Sequence, residues 1–530
     1  MATFFSGGTI WCGSGRLAQT LRIEDGKVAE IDGTRQHGDE KVDLHGGFLA
    51  PAFMDGHAHP LFAGREAQGP LVNGLQSVAE IVAEVKRFAD TNPDALWIIG
   101  GAYEAAVVAG GDFLATWLDE AVSDLPVVLQ AVDHHTIWVN SKALQIAGIN
   151  AATVDPDGGT IARNPDGTAR GTLREPAAMD LIMRHAPVRT LAQDVAAIAW
   201  ASDQYLASGV TAATDAWVEP GMAEAYIAAD KSGALKIDMN LFFLAQPETW
   251  RERVNYFAKL RKEIESLGAG SKLAAKTVKI ICDGALSAGT AALLDPYLDG
   301  PNSKGLLIWN EEELLDAAVT FDMAGYQLHM HAIGDAAVRQ ALDVIEQMVA
   351  INPKWDRRPV IAHAQLISPA DLPRFAKLGV IANYQPLWMY LDPMNKELIA
   401  PRIGDQRNSQ QYQLASMVKT GARISYGSDW PVTSHIPLAA LAVPTHRQSP
   451  DGYPPQGWSP HEAISVEDSL RFYTEGVAYQ TFNEERFGQI RVGMQADFVV
   501  LAENPLQVKP HDVAGIKIRA VYKSGVAVIG

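Results

Sequence analysis

Eight strand-like runs, the later ones separated by helical patterns, constrain the fold of this chain more than any other feature. Strands that alternate with helices form parallel sheets, and eight such units close into a barrel. Other strand counts stay open, because short buried strands and short buried helix segments look alike. We predict an α/β protein built on a (β/α)₈ TIM barrel. The runs lie at 48–60, 209–216, 236–245, 276–284, 326–335, 358–365, 379–386 and 422–432.

The two ends of the chain share a different pattern, which consists of short strands joined by glycine turns. Near the N-terminus, Asp25-Gly26 stands between "LRIE" and "KVAEI", and this dipeptide favours a tight hairpin. We therefore predict that residues 1–50 and 486–530 form one composite β-sandwich. The barrel, residues 51–485, would be inserted between its two halves.

The gap between the first and second barrel strands is unusually long, at about 150 residues. It contains aromatic and β-branched residues, for example in "ALWIIGGAY" and "LPVVLQAVDHHTIWV". A loop of this length without its own structure is uncommon in a compact domain. We predict a folded subdomain at about residues 65–200, inserted at the top of the barrel.

Composition excludes several function classes. No segment approaches 18 uninterrupted apolar residues, so no membrane span or membrane partner is expected. A formal net charge of −18 disfavours nucleic acid as a partner. Two cysteines, Cys12 and Cys282, and no basic region ahead of an apolar leader favour a cytoplasmic location. The expected partner is a small-molecule substrate, and a homodimer is among the oligomeric states left open.

Two histidines stand two residues apart in "FLAPAFMDGHAHP", at the end of the first barrel strand. Alternate residues of a strand point to the same side, so His57 and His59 are expected to point into the barrel. The carboxyl ends of the strands are where barrel enzymes hold their active sites. Two imidazoles on one side of a strand are a natural half of a zinc site, although this spacing alone is weak evidence.

Four further strand ends carry a histidine, an aspartate or a lysine. Four histidines, one aspartate and one lysine thus converge from five strand ends, and a metal centre would partner the buried charges. Histidines satisfied within an ordinary core are the alternative. We read His329, one layer deeper on the fifth strand, as a core residue or a support for the ligands. The converging residues are His57, His59, Lys279, His331, His363 and Asp429.

The chain resembles the amidohydrolase superfamily, and more narrowly its YtcJ-like and N-substituted formamide deformylase branch. The resemblance covers nearly the whole length. The terminal segments look like the split sandwich of that superfamily, and "FMDGHAHP" looks like its first-strand metal motif. The segments "LREPAAM", "HAIGDAAV" and "HAQLISPADLPRFAKLGVIANYQP" look specific to the branch.

The resemblance implies a role for each of these residues. His57, His59, His331 and His363 would ligate one or two divalent ions, with zinc expected ahead of iron, manganese or nickel. Asp429 would bind metal and act as the general base, taking a proton from water and delivering it to the leaving amine. Lys279 stands where many members carry a carboxylated lysine that bridges two metals, and a plain paired lysine is the alternative.

Substrate contacts are expected from three further residues. His135 stands at a family position in "DHHTIW", whereas we read the adjacent His134 as incidental. Trp388 and Trp430 follow the seventh and eighth strands and would line an apolar pocket, unless they serve ordinary packing. Asp283 and Asp335 are candidates for orienting the histidines.

One departure affects the expected substrate. The branch usually reads close to "DGALGSRTAAL", whereas Ser287, Ala288 and Gly289 stand here in place of Gly-Ser-Arg. Losing an arginine removes a fixed bidentate donor, so the deformylase substrate does not transfer directly.

The predicted function is metal-dependent hydrolysis of a C–N bond in a small molecule, of the amide, N-acyl or N-formyl type, by an amidohydrolase that acts on bonds other than peptide bonds. A mononuclear deaminase or a cyclic-amide hydrolase on the same barrel is the alternative within enzymes. A non-catalytic scaffold is the alternative outside them, and retention of every ligand position argues against it.

Overall fold

The structure is a computed structural model that describes residues 2–132, 134, 136–157, 159–300 and 302–530. The chain forms two compact units. One unit comprises Met1–His59 together with Ser202–Gly530, and the other comprises Pro60–Ala201.

The strands of the described residues fall into four sheets. In chain order they are β1 (Thr3–Ser6), β2 (Thr9–Gly13), β3 (Arg16–Ala18), β4 (Leu21–Glu24), β5 (Lys27–Ile31), β6 (Glu40–Asp43), β7 (Phe48–Pro51), β8 (Phe53–Ala58), β9 (Ile98–Tyr103), β10 (Val127–Ala131), β11 (Thr136–Val139), β12 (Thr160–Arg163), β13 (Ala169–Arg174), β14 (Val210–Val218), β15 (Asp238–Ala245), β16 (Leu273–Ile281), β17 (Gln327–Ala332), β18 (Val360–His363), β19 (Ile381–Tyr384), β20 (Arg423–Tyr426), β21 (Phe498–Leu501), β22 (Ile518–Lys523) and β23 (Val526–Ile529).

The α-helices are mostly short, and the longest run to 17 residues. They are α1 (Pro60–Glu66), α2 (Val78–Thr91), α3 (Ala115–Asp119), α4 (Ser141–Ile146), α5 (Glu175–Met183), α6 (Leu191–Ala207), α7 (Met222–Ser232), α8 (Trp250–Ser266), α9 (Glu311–Met323), α10 (Asp335–Ile351), α11 (Leu372–Leu378), α12 (Ala400–Asn408), α13 (Leu414–Thr420), α14 (Pro437–Ala440), α15 (Val443–His446), α16 (Val466–Arg471) and α17 (Val477–Gln480).

The predicted (β/α)₈ barrel is confirmed. Among the described residues, eight parallel strands are joined in the order β8, β14, β15, β16, β17, β18, β19 and β20. Each of the eight predicted runs overlaps one of these strands, with β14 ending two residues after its run and β16 beginning three residues before its run. Helices α7 to α11 and α13 lie between successive strands, so each strand enters the barrel in the same direction. Residues on both faces of β17, β18 and β19 are almost all buried, which is why these segments read as continuous apolar runs.

The first predicted run is wrong as a single strand. Residues Phe48–Pro51 form β7 and pair with β2 and β21 in a terminal sheet, and only Phe53–Ala58 enters the barrel as β8. The run reads as continuous because all residues of both strands are buried. Hydrophobicity therefore carries no sign of the change of sheet at Ala52.

Strands from both chain ends form the predicted sandwich. One sheet has the order β5, β4, β1, β6, and the other has the order β23, β22, β21, β7, β2, β3. The two sheets share one core, to which Phe5 and Ile23 contribute from the first sheet and Leu49 and Phe498 from the second. The Asp25-Gly26 hairpin is confirmed, because β4 and β5 pair antiparallel and both turn residues have positive φ.

The unit Pro60–Ala201 is folded, as the predicted insertion requires. It contains a mixed sheet with the order β12, β13, β11, β10, β9. One core lies around Trp138 and Tyr103, and a second lies around Leu173 and Ile137. Within the part of the chain that the structure describes, we find no helix with both the length and the apolar character that crossing a membrane requires.

Candidate metal centre

Three buried side chains meet at the carboxyl ends of the barrel strands. His57, His363 and Asp429 each offer one ligand atom, and these atoms lie within 4.8 Å of one another. Their exposed fractions are 1%, 2% and 7%, respectively. Two imidazoles and one carboxylate at this separation form a donor set that suits a divalent transition metal.

The barrel closes at this cluster. His57 lies near the end of β8, and Asp429 follows β20 by three residues. The Asp429 amide donates to the His57 carbonyl at 2.7 Å, and the His59 amide donates to the Trp430 carbonyl at 2.6 Å. A Cβ on Gly427 would lie 2.5 Å from the His57 amide nitrogen, so only glycine allows the two segments to approach this closely.

Two residues of the cluster have a left-handed backbone. His363 has a φ of 71° and Asp429 a φ of 59°. Residues other than glycine seldom adopt this conformation, and where they do they cluster at functional sites. His363 is the last residue of β18 and Asp429 follows β20 by three residues, so at both positions the left-handed backbone sets the direction of the side chain at the end of a barrel strand.

His59 and Lys279 extend the cluster. His59 follows β8, and its Nε2 lies 3.0 Å from Asp429 Oδ1. Lys279 lies in β16, and its Nζ is 3.4 Å from His57 Nε2. The sixth predicted residue, His331, packs its ring 4.5 Å from that of His363. Each of the six predicted residues therefore contacts at least one other member.

His331 is also held by the segment that follows β16. Its Nε2 lies 3.3 Å from the Gly284 carbonyl and 3.6 Å from Asp283 Oδ1. Asp283 also accepts hydrogen bonds from the amides of Ala292, Ile333 and Gly334, so it ties this segment to the end of β17.

Asp335, the other candidate for orienting a histidine, contacts a different segment. The Asp335 carboxylate accepts from the Leu294 amide at 2.9 Å. Asp335 is also the first residue of α10, so its carboxylate lies where a negative charge stabilises the start of a helix.

Burial determines the protonation of the cluster. Desolvation, helped by the charge of Lys279, lowers the pKa of His57 well below its usual range, and burial does the same for His363. Burial also lowers the pKa of Lys279 to about 7. Burial opposes ionisation of Asp429, but the hydrogen bond with His59 and nearby positive charges hold its pKa below the usual value. Neutral imidazoles and an ionised carboxylate are the forms that ligate metal.

The outer nitrogens of two histidines are already engaged. His57 Nδ1 lies 2.7 Å from His329 Nε2, and His363 Nδ1 lies 2.8 Å from Gln385 Oε1. Both rings therefore have Nε2 left for the cluster, as orienting contacts of metal-bound histidines require. The residues present thus fit a divalent ion. His329, which we read from the sequence as a core residue or support, contacts His57 directly.

Asp55 is a supporting residue that the sequence reasoning missed. Its carboxylate accepts from the Ser428 amide at 2.9 Å, from the Ser428 hydroxyl at 2.5 Å and from the Tyr205 hydroxyl at 3.0 Å. It also lies 3.3 Å from the His57 amide. Burial raises its pKa to about 6. Its position two residues before His57 on the same strand is the sequence feature that could have indicated this supporting role.

The predicted substrate contacts differ in what surrounds them. Trp388 stacks on His363, with ring centroids 5.4 Å apart and planes 5° apart. Trp430 packs against Tyr205 at 5.1 Å and His435 at 4.2 Å. The prediction for His135 falls outside the described residues.

The neighbouring His134, which we read as incidental, lies in the unit Pro60–Ala201. Its Nε2 is 3.4 Å from Glu66 Oε1, and its ring lies 6.5 Å from that of Phe62.

The altered segment Ser287–Gly289 has a distinct local structure. Gly289 has a φ of 72°, and a Cβ there would lie 2.5 Å from Arg402 Nη1. The Arg402 guanidinium, which is 3.6 Å from Asp299, therefore occupies the space where a side chain at position 289 would begin.

Comparisons with known proteins agree with this geometry. The family model described as "Amidohydrolase family" matches residues 40–529. Three curated proteins are similar over most of their length: Protein LONG AFTER FAR-RED 3 of Arabidopsis thaliana (31% identity, 98% of this chain and 90% of the relative), Putative amidohydrolase YtcJ of Bacillus subtilis (28%, 92% and 90%) and N-substituted formamide deformylase of Arthrobacter pascens (25%, 96% and 94%).

A solved structure shares the fold. It is an uncharacterised metal-dependent hydrolase from Pyrococcus furiosus, with a TM-score of 0.75 and 24% identity over 96% of this chain and all of that chain. The family match spans nearly the whole chain, and it confirms the resemblance read from the motifs. The chain therefore belongs to the amidohydrolase family.

Proposed function

We propose that this protein is a metal-dependent hydrolase that cleaves a C–N bond of a small molecule, of the amide, N-acyl or N-formyl type. The observation that carries the proposal is the buried cluster of His57, His363 and Asp429 at the carboxyl ends of the barrel strands. Similarity to an N-substituted formamide deformylase supports the choice of bond.

The metal would be one or two divalent ions, with zinc preferred by the imidazole-rich donor set. His57, His59, His331, His363 and Asp429 would hold it. A bound divalent ion lowers the pKa of water and polarises a carbonyl oxygen.

Asp429 is the proposed general base. Its carboxylate is ionised, buried and held by His59 at 3.0 Å, so it can accept a proton from the attacking water without moving away from the cluster. It then delivers this proton to the departing nitrogen, because an amide anion is a very poor leaving group.

Lys279 is the proposed site of carboxylation. Its amine is fully buried beside His57, and a pKa of about 7 gives it a large neutral fraction near neutral pH. A neutral amine adds to carbon dioxide, forms a nitrogen–carbon bond and releases a proton. The resulting carbamate would offer two further oxygen ligands and allow a second metal.

A mononuclear enzyme is the second candidate, with deaminase or cyclic-amide hydrolase chemistry on the same barrel. The three-residue cluster, which suffices for one ion without any modification of Lys279, favours it. Metal stoichiometry together with the intact mass of the protein separates the two candidates, because a carbamate adds mass and accompanies a second metal.

The experiment is a screen of metal-reconstituted protein against N-formyl amines, N-acyl amines, N-acyl amino acids and cyclic amides. We expect hydrolysis that chelation abolishes and that Asp429→Asn lowers by about 10²- to 10⁴-fold in kcat. Asp316→Asn, which changes an exposed carboxylate paired with Arg251, is the matched control and should retain full activity. Full activity in Asp429→Asn would contradict the assigned base.

A further inference from the structure

A buried row of side-chain amides runs from the backbone of β8 to the outer edge of His363. It comprises Gln480 at the end of α17, Asn383 within β19 and Gln385 just after β19. All three side chains have an exposed fraction of 0%. We call these three residues the amide relay. Gln385 contacts the cluster at Nδ1 of His363, and none of the three residues has a role in the bond cleavage proposed above.

The contacts of the amide relay form a continuous path. Gln480 Nε2 donates to the Gly56 carbonyl at 2.7 Å. Asn383 Nδ2 lies 3.2 Å from Gln480 Oε1, and Gln385 Nε2 lies 3.1 Å from Asn383 Oδ1. The path ends at His363, whose Nδ1 is 2.8 Å from Gln385 Oε1.

The hydrogen bond from Gln480 to the Gly56 carbonyl determines which group donates in each hydrogen bond that follows. A backbone carbonyl can only accept, so Gln480 must turn its amide nitrogen toward Gly56 and its oxygen toward Asn383. Asn383 then has to donate to Gln480, which turns its own oxygen toward Gln385. By the same rule Gln385 donates to Asn383 and presents its oxygen to His363. An amide oxygen cannot donate, so the proton must be on His363 Nδ1.

A neighbouring hydroxyl is consistent with this direction. Asn383 Nδ2 donates its second hydrogen to Ser425 Oγ at 3.0 Å, and the Ser425 hydroxyl donates to Gln480 Oε1. The backbone of Gln480 is tied as well, because Gln327 Nε2 donates to its carbonyl at 2.9 Å. Every polar atom of the path therefore has a partner of the right kind, as a buried network requires.

We propose that Gln480 is a positioning residue which, through Asn383 and Gln385, keeps the proton of His363 on Nδ1 and its Nε2 lone pair directed to the metal cluster. The proposal rests on the proposed metal-dependent function. Which nitrogen of a histidine binds metal is set by the hydrogen bond that the other nitrogen makes. The relay thus makes a residue outside the barrel strands responsible for the tautomer of a ligand inside the barrel.

The first test measures zinc affinity by competition with a chromogenic chelator. Gln480→Leu should weaken zinc binding by about 10- to 100-fold. The matched control is Gln340→Leu, which removes another buried glutamine whose Nε2 donates to a backbone carbonyl, that of Trp309. This variant should bind zinc like the wild type. Equal affinity in Gln480→Leu and Gln340→Leu would overturn the proposal.

A second substitution distinguishes positioning from general damage. A carboxylate at position 385 accepts from His363 Nδ1 whatever the direction of the relay, so Gln385→Glu should restore zinc affinity in the Gln480→Leu background. Failure of this rescue contradicts the proposal. If Gln480→Leu does not fold, Gln480→Met replaces it, because an unbranched thioether of similar length removes the amide donor and the amide oxygen together.

The tautomer itself is measured by nitrogen NMR of histidine-labelled protein without metal. The wild type should show His363 protonated on Nδ1, and Gln480→Met should shift the population toward Nε2. An unchanged tautomer in the variant would refute the relay. Because this measurement needs no metal, absence of zinc binding by the wild type would count against the proposed function alone.

Discussion

Replacing Gly427 with alanine tests how closely the cluster depends on closure of the barrel. A Cβ at this position would lie 2.5 Å from both the amide nitrogen and the Cβ of His57, and 2.8 Å from its Cα. Non-bonded carbon atoms settle at about 3.5 to 4.0 Å, so the two segments must separate by about 1 Å. All of the atoms in the way belong to backbone or Cβ positions, and no side-chain rotation relieves the clash.

The loss of stability in Gly427→Ala can be worked out from the contacts between the segments of His57 and Asp429. Overpacking of this kind costs about 1 to 3 kcal/mol. The Asp429-to-His57 and His59-to-Trp430 backbone hydrogen bonds, at 2.7 and 2.6 Å, would be stretched beyond ordinary length. Each contributes about 1 kcal/mol. Gly427→Ala should therefore lower the free energy of unfolding by about 3 to 5 kcal/mol.

The same displacement should affect metal binding more than stability. Metal–ligand distances tolerate only about 0.2 Å, and His57 would move relative to Asp429 by several times this amount. Urea unfolding measures stability, and chelator competition measures zinc affinity. The control is Gly515→Ala, where a Cβ meets nothing within 4 Å. Wild-type stability and zinc affinity in Gly427→Ala would refute the reasoning.

The remaining predictions concern buried titratable groups. Burial raises the pKa of Glu66 from 4.5 to about 8, so its contribution to stability is fully present below pH 4.5 and is lost as the pH rises through 8. Glu66→Gln should remove on the order of 4 kcal/mol of pH dependence over this range in denaturation experiments, and identical pH profiles would contradict this. Burial also raises the pKa of the Cys12 and Cys282 thiols, so neither should react with a thiol reagent at pH 8 before unfolding. Stoichiometric labelling of the native protein would show that prediction to be wrong. Arg447 has no exposed surface and donates to the Trp458 and Tyr412 carbonyls, so Arg447→Met should cost about 2 to 4 kcal/mol in urea unfolding, and a change below about 1 kcal/mol would contradict it.

The barrel and the convergence of the candidate metal-binding residues could be predicted because two signals coincide. A strand buried on both faces reads as an unbroken apolar run, and a polar residue at its carboxyl end stands out against that run. His331 and His363 are found in this way, as is Lys279. The strand order then follows from chain order, because parallel neighbours joined by helices seldom change places.

The change of sheet within 48–60 could not be predicted, because burial is the same on both sides of Ala52. Its position depends on β21, which pairs with β7 from the far end of the chain. Hydrophobicity records that a residue is buried and does not record which neighbours bury it.

The side-chain contacts that support the candidate metal ligands could not be predicted from the sequence either. Asn383 and Gln385 alternate at the end of "GVIANYQP", so their place at a strand end was visible. Their role depends on Gln480, which reaches them from α17, and on the direction of amide groups that sequence does not encode. The placement of Arg402 over Gly289 likewise joins two segments that are distant in the chain.

The proposed metal centre is tested most directly by anomalous diffraction from crystals of the purified protein, measured on both sides of the zinc absorption edge. We expect an anomalous peak bounded by His57 Nε2, Asp429 Oδ1 and His363, with a second peak beside Lys279 if that residue is carboxylated. Metal-reconstituted crystals with no anomalous peak at the strand ends, or with one only at another position, would contradict a metal centre formed by these residues.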